Sequence, residues 1–408
     1  MSTAAASLRS DAKVIGLVGL AHGLSHFFQL VLPPLFPLIR EDFGTSYATL
    51  GAVIAVFYTV SGVAQTASGF LVDRLGARAI LLAGMALVSL GAILAGLAPS
   101  LPWLFAAAVV GGLGNSVFHP ADFALLNARV EPRRLGYAFS VHGIVGNIGW
   151  AIAPPFVYPI AQAYGWRMGA IAAGALGLVC LGLLATQRIL VIARPAHHAV
   201  AAARRGGLAA DVRLLTSWPI LMCFAFFSLY SVTLVGFQTF STSGLTKLYD
   251  VPLGLATSAL TAFLLSGAVG ILAGGVIAAR TDRHALVAVG GMLVPAAMSL
   301  WIASGSISPT FLIAIMSIAG FGFGAMGPSR DIIVRGIAPA ESRGKVYGFV
   351  YSGFDLGGLV GPLLFGWFLD QGRPAWIFGA AALIMVVAIP TVVWIRRPPA
   401  RRAAASPG

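Results

Sequence analysis

The chain has 408 residues, 58% hydrophobic and only 10% charged, with 26 Lys and Arg against 13 Asp and Glu for a formal net charge of +13, and its mean hydropathy is +0.90. Soluble domains carry about 25% charged residues, so a water-soluble globule is excluded and a lipid-solvated chain is implied. Nucleic acid is not the expected partner of the positive charge, which is spread over short loops without a DNA- or RNA-binding module.

Crossing the hydrocarbon as a helix takes about 20 apolar residues. Charged or Pro/Gly-rich breaks divide the sequence into twelve such stretches, expected near 13–38, 48–72, 79–97, 101–128, 136–161, 166–190, 218–244, 253–278, 285–304, 309–334, 346–370 and 374–396. The first is too long for a secretory signal, holds two histidines and lacks a small-residue cleavage pattern before Arg40, so it is expected to stay as a helix. On it, His22, His26 and Gln29 recur at i, i+4 and i+7, one face of a helix. The turn after the second stretch reads GFLVDRLGAR over residues 69–78. Gly69 would let its helix pack closely, and Asp73 would gain about 0.3–1 kcal/mol beside the positive end of a helix such as the one expected from Val346. The simpler alternative is that Asp73, Arg74 and Arg78 cap helices and anchor a tight turn at the headgroups.

The fourth stretch repeats the polar spacing in Asn115, His119 and Asp122. A charged side chain at mid-bilayer costs about 2.5–3.5 kcal/mol, so the two stripes are expected to face water or substrate rather than lipid. For any single histidine the alternative is a neutral ring hydrogen-bonded inside the bundle. Cys180 and Cys223 fall inside apolar stretches, which argues against a disulfide framework or a thiolate site. Residues 191–217 are the one long polar stretch between spans and read as a linker joining a first unit, 1–190, to a second, 218–396, with a tail over 397–408. Its His197 and His198 have no other ligands nearby and read as solvated loop, so no metal is expected.

The two units match at a shift of 208 residues, Asp42 falling on Asp250, Pro120 on Pro328, Gly136 on Gly344, Gly149 on Gly357 and Pro154 on Pro362. Landmarks at one shift point to duplication. Parallel six-helix repeats are one organisation of secondary transporters, with substrate between the halves near the midplane. Asn147 is then the mate of Asp355, and Asp122 of Arg330. Phe27, Phe118, Tyr230, Phe237 and Phe354, with Gln238, stand on helices expected near such a cavity, although most aromatics there are ordinary packing. Glycines and prolines in GNIGWAIAPP and GGLVGP are expected to loosen or kink the fifth and eleventh helices.

Asp355 lies some ten residues, about 15 Å, into the eleventh stretch, with Tyr351 one turn before it. A carboxyl whose surroundings alternate between protein and water changes its proton affinity, so Asp355 is the leading candidate for proton coupling, with His119 and Asp122 beside it. The competing reading is a permanent ion pair that only orders the bundle. Arg330, in GPSRD, either pairs with a carboxylate or attracts an anionic substrate.

An even number of spans puts both ends on one side, which collects 22 of the 26 Lys and Arg and leaves Arg40, Arg167, Lys247 and Arg373 on the other. The positive-inside rule then places both termini in the cytoplasm, with anionic lipid headgroups as partners of those loops.

The turn over 69–78 resembles the signature of the major facilitator superfamily, G-x-L-x-D-R-x-G-x-[RK], matched by Gly69, Leu71, Asp73, Arg74, Gly76 and Arg78. The resemblance implies an all-α membrane protein of twelve transmembrane helices in two six-helix pseudo-symmetric bundles, in which this turn is a gate that holds the cytoplasmic side shut in one conformation. At the matching turn, GVIAARTDRH from Gly275 to His284, Ala279 replaces the aspartate and Asp282 the second glycine, so no equivalent latch is expected. LSHFFQLVLPPLFPLI, GNSVFHPAD and GYAFSVHGIVGNIGWAIAPP are similar to the fosmidomycin-resistance branch, whose members are proton-driven exporters. The arginine that many proton-coupled antiporters carry early in the fourth helix would fall near Ala108, so coupling would need other side chains.

No phosphate-binding loop, nucleophile elbow or metalloprotease motif occurs, so neither an enzyme with catalytic residues nor a cofactor is expected. The leading expectation is a monomer of the bacterial inner membrane that exports a small organic compound, its small-molecule substrate, in exchange for protons. Uptake or exchange of an organic anion, drawn by Arg330 and the histidines, is the second. The third is a sensor or scaffold that moves nothing.

Overall fold

The computed structural model describes residues 3–191, 208–339 and 342–394. The first crossing consists of α1 (Thr3–Gln29), a 3-10 turn (Pro33–Leu35) and α2 (Phe36–Phe43). It is followed by α3 (Tyr47–Leu75), α4 (Ala77–Gly96), a fourth crossing split into α5 (Leu101–Asn115) and α6 (Phe118–Arg129), then α7 (Leu135–Tyr164) and α8 (Trp166–Ala185). A short α9 (Leu208–Leu215) precedes α10 (Trp218–Tyr249), α11 (Leu253–Arg280), α12 (His284–Ala303), a second split crossing of α13 (Leu312–Ala325) and α14 (Gly327–Ile337), then α15 (Arg343–Asp370) and α16 (Ala375–Val393). Among the described residues, twelve helical stretches are long and apolar enough to cross a membrane, as the composition predicts.

Where the ends differ from expectation, the causes are local. The first helix starts at Thr3 rather than near residue 13. Asp11, inside it, accepts from the Arg134 Nε (2.7 Å) and the Glu131 backbone N–H (3.0 Å), which ties the added turns to the start of α7. Pro33 and Pro34 stop α1 because a prolyl nitrogen has no hydrogen to donate and its ring displaces the carbonyl four residues back. The same chemistry splits the fourth and tenth crossings just ahead of Pro120 and Pro328, two residues that are repeat mates. Of the expected linker, α9 occupies part; its His197 and His198, like the tail 397–408, lie outside the described residues.

The duplication is also visible in packing. A Cβ at Gly149 would overlap the carbonyl of Gly23 on α1, and one at Gly357 would overlap Ser231 on α10. Gly23 and Ser231 are themselves one repeat apart. In each bundle, close backbone approach replaces the hydrophobic pull that lipid cannot provide.

The bundles meet along two seams, α3 with α15 and α7 with α11. At the end away from the termini the seams are tight: Gly366 sits under the Tyr47 carbonyl, Gly51 under that of Pro362, and Gly254 under the Tyr158 hydroxyl. There Asp370 caps α3 from the other bundle, its Oδ1 accepting from the Tyr47 N–H and its Oδ2 from the Ala48 N–H, both at 2.8 Å. Toward the terminus-bearing end Gly69, Gly143, Gly275 and Gly348, on the same four helices, have no neighbour within 4 Å of a built Cβ. The molecule is closed at one end and parted at the other.

Candidate functional site

Between the bundles lies a cavity of about 160 Å³. Asn147 and Trp150 of α7 form one wall; Tyr230, Leu234 and Gln238 of α10, Phe263 of α11, Phe323 of α13, Arg330 of α14 and Phe354 of α15 are prominent in the other. Four predicted residues, Asn147, Tyr230, Gln238 and Arg330, therefore share it. Gln238 is 1% exposed, and neither its Oε1 nor its Nε2 has a hydrogen-bond partner. Buried amides left unpaired are costly, so this one is poised to bond a guest. Among the predicted aromatics, Tyr230 and Phe354 line the cavity, whereas Phe27, Phe118 and Phe237 are buried in the packed interior.

Arg330 is caged. Its guanidinium carbon stands 4.7 Å from the ring centroid of Phe227, 5.2 Å from Tyr230 and 5.5 Å from Phe354. Its Nε donates to Asp331 Oδ1 at 2.9 Å, and the Tyr351 hydroxyl donates to the same oxygen at 3.1 Å. Tyr351 thus supports the partner of Arg330 rather than standing among the cavity-lining residues. The aromatic faces and the adjacent carboxylate hold a cation at the wall, where an anionic group would meet it.

The two polar stripes turn toward one another inside the first bundle. Gln29 Nε2 donates to Asn115 Oδ1 (3.2 Å), and Asn115 Nδ2 to the Ser61 hydroxyl (2.8 Å). Gln29 Oε1 accepts from the Tyr58 hydroxyl (3.2 Å) and from Trp150 Nε1 (2.9 Å). Two turns further along, the split that re-aims α6 brings Asp122, fully buried, against two histidines. His142 Nε2 is 3.1 Å from Asp122 Oδ2, and His22 Nδ1 is 3.3 Å from the same oxygen without hydrogen-bond alignment. The His22 and His142 rings stack at 3.5 Å, and His119 and His26 lie 5.1 and 4.4 Å from His22, centroid to centroid. His26 in turn stacks on Trp150 at 4.2 Å. Gln29 and Asn115 are satisfied within this network, as polar groups carried through hydrocarbon must be, whereas Asp122 Oδ1, His22 Nδ1 and His26 Nδ1 are left without a partner.

His142, Trp150, Tyr58 and Phe227 were not among the sequence candidates. His142 had a signal, since any ionisable residue in a span is a default candidate; the aromatics had none that sets them apart among the chain's 25 Phe, 9 Tyr and 8 Trp residues.

Asp355 faces neither the cavity nor the histidines but the α3–α15 seam, where a Cβ on Gly62 would lie 2.9 Å from its carboxyl carbon. No ion pair to a basic residue is made by it among the described residues. At the signature turn, Asp73 and Arg74 are exposed, and Gly69 has no neighbour. Gly76 adopts a φ of 91° between α3 and α4, a conformation that favours glycine, and Arg78 donates to the Ala185 carbonyl at the end of α8. Among the described residues, no hydrogen bond or ion pair joins Asp73 to the start of α15.

The family model for the Major Facilitator Superfamily matches residues 18–329 and, overlapping, 239–408. The chain is 24% identical over 393 residues to the fosmidomycin resistance protein of Escherichia coli K12, covering 94% of this chain and 93% of that one. It is 24% identical to the multidrug resistance protein MdtH of Enterobacter sp. strain 638, covering 91% and 95%, and 25% identical to the membrane sensor protein UhpC of E. coli K12, covering 91% and 88%. Among solved structures it superposes with a TM-score of 0.73, at 14% identity and 94% and 96% coverage, on a bacterial homolog of the human lysosomal transporter Spinster, in an inward-facing and occupied conformation.

Proposed function

The chain belongs to the Major Facilitator Superfamily of transporters, and from that footing we propose that it exports a small organic compound across the bacterial inner membrane in exchange for protons, by alternating access. The observation that carries this reading is the position of Asp355. Its carboxyl sits on the seam that must part when the halves rock, against Gly62, while the adjacent Phe354 forms part of both the cavity wall and the Arg330 cage. A protonatable group and a residue of the chamber wall are thus consecutive on α15. Opening of the seam toward the other side would change the water around that group, and a carboxyl in alternating surroundings takes up and releases a proton. The excess of Lys and Arg on the terminus-bearing side supports cytoplasmic termini, and the parted end is then the cytoplasmic one.

The test is flux in proteoliposomes under an imposed pH gradient, using a compound first found by thermal stabilisation of the purified protein. Asp355→Asn is expected to abolish gradient-driven flux while keeping that stabilisation and gradient-free exchange. Undiminished proton-driven flux in this variant would remove Asp355 from the coupling step.

A second reading, proton-coupled uptake or exchange of an organic anion, is favoured by Arg330 and the unpaired Gln238 amide at the cavity wall. The direction of proton movement on substrate addition separates the two: opposite to the substrate in antiport, with it in symport. A chain that binds compounds yet shows no flux with any of them would instead be a sensor.

A further inference from the structure

We propose that His22, His119, His142 and Asp122 form a binding site for one divalent transition-metal ion, zinc in the first instance, inside the first bundle. One ring nitrogen from each histidine lies within 4.8 Å of those of the other two. Asp122 Oδ2 stands 3.1 Å from His142 Nε2 and 3.3 Å from His22 Nδ1. Ligand atoms around tetrahedral zinc, with bonds of about 2.0–2.1 Å, are separated by about 3.3 Å, so the histidines must draw together and the stacked His22 and His142 rings, 3.5 Å apart and 19° from parallel, must turn until both in-plane lone pairs meet one ion. Three helices supply the donors: α1, α6 and α7.

The polar bookkeeping of the site points to a cation. Asp122 is fully buried, its Oδ1 has no hydrogen-bond partner, and neither does His22 Nδ1. Buried polar atoms left unpaired are costly, and a cation held between the carboxylate and the rings would satisfy both. Three imidazole nitrogens and a carboxylate oxygen are the donors preferred by zinc, cobalt and nickel, whereas calcium and magnesium demand oxygen. Gly146, one turn beyond His142, leaves room for the rings, since a Cβ there would come within 2.9 Å of His22 Nε2 and His26 Cε1. The expectation of no metal rested on residues judged along the chain; the ligands are brought together only by folding. This proposal is independent of the coupling role given to Asp355, which touches none of the four residues.

The experiment is titration of the full-length detergent-solubilised protein, affinity tag removed, with Co²⁺, followed by its visible ligand-field absorption and by displacement with Zn²⁺. The expected result is one saturable equivalent with a tetrahedral-type spectrum, displaced by Zn²⁺ and unaffected by excess Mg²⁺ or Ca²⁺. His142→Ala should weaken it by more than about 100-fold, because even groups that merely orient ligands are worth 10–100-fold. The joint replacement His197→Ala and His198→Ala in the linker should leave it unchanged. If His142→Ala fails to yield monodisperse protein, His119→Gln is read in its place. No spectrum in the unaltered chain, a spectrum that survives these ligand replacements, or one lost with the linker pair would each overturn the site.

Discussion

Arg330 shows how a single cation is fixed in an apolar wall. Three rings face its guanidinium and one carboxylate accepts from its Nε, an arrangement that uses a planar, delocalised charge and that an ammonium cannot reproduce. Cation–π contacts are worth about 0.5–2 kcal/mol each depending on desolvation, so losing the stack while keeping the charge has a readable size. Arg330→Lys is expected to raise the KM for an anionic substrate by about 5–30-fold, corresponding to 1–2 kcal/mol, with little change in maximal rate, as measured by initial flux in proteoliposomes. An unchanged KM would detach Arg330 from substrate binding. The cation itself was legible in the sequence because a charge in an apolar span is conspicuous. Phe227, the closest of its three rings, was not, because nothing in a one-dimensional pattern distinguishes a ring under a guanidinium from a ring under a leucine.

Between elements, the decisive side chain is often a missing one. Gly149 lies against the Gly23 carbonyl where α1 and α7 cross, while Gly143, two turns earlier on the same helix, faces open space. Alanine at 149 must push the helices apart, and overpacking of this kind costs about 1–3 kcal/mol. Alanine at 143 relieves the helix of a flexible glycine, worth up to about 1 kcal/mol in its favour. Gly149→Ala should therefore lower the thermal midpoint in detergent by several degrees and Gly143→Ala should hold or raise it; equal behaviour of the two would contradict the packing. The repeat shift revealed which glycines are paired across the bundles, since Gly149 and Gly357 are landmarks of the duplication. Which face each presents was hidden, because with 50 glycines in the chain composition alone cannot separate a crossing point from an open groove. For the same reason the histidine stripes gave their spacing but not their partner: i, i+4, i+7 fixes a face, and only the crossing of α1 with α6 and α7 decides what that face meets.

At the scale of the molecule, one conformation is held by contacts between halves at the end away from the termini. Asp370 is at the centre of these contacts, since its carboxylate takes both exposed N–H groups at the start of α3, where the helix dipole is positive. Lys247 of the second bundle stands 4.6 Å from the ring of Tyr47 and Arg40 of the first at 5.1 Å, which adds a second link across the same gap. Charge-assisted hydrogen bonds are worth about 1.5–3 kcal/mol when sheltered, but this pair is partly solvated, so about 1–2 kcal/mol for the latch is the appropriate scale. Removing that much from one side of a two-state balance moves the population ratio by about 5–30-fold. In a background carrying Cys180→Ala and Cys223→Ala, spin labels placed at Glu41 and Arg373, both exposed at this end, report the gap directly by pulsed electron resonance. Asp370→Ala should enlarge the long-distance population relative to its parent. Asp370→Asn, which keeps an acceptor but not the charge, should fall between the two. Identical distance distributions in all three would mean that the closed end is held by the packing of α3 on α15 alone, and that the carboxylate cap contributes nothing to which way the cavity faces.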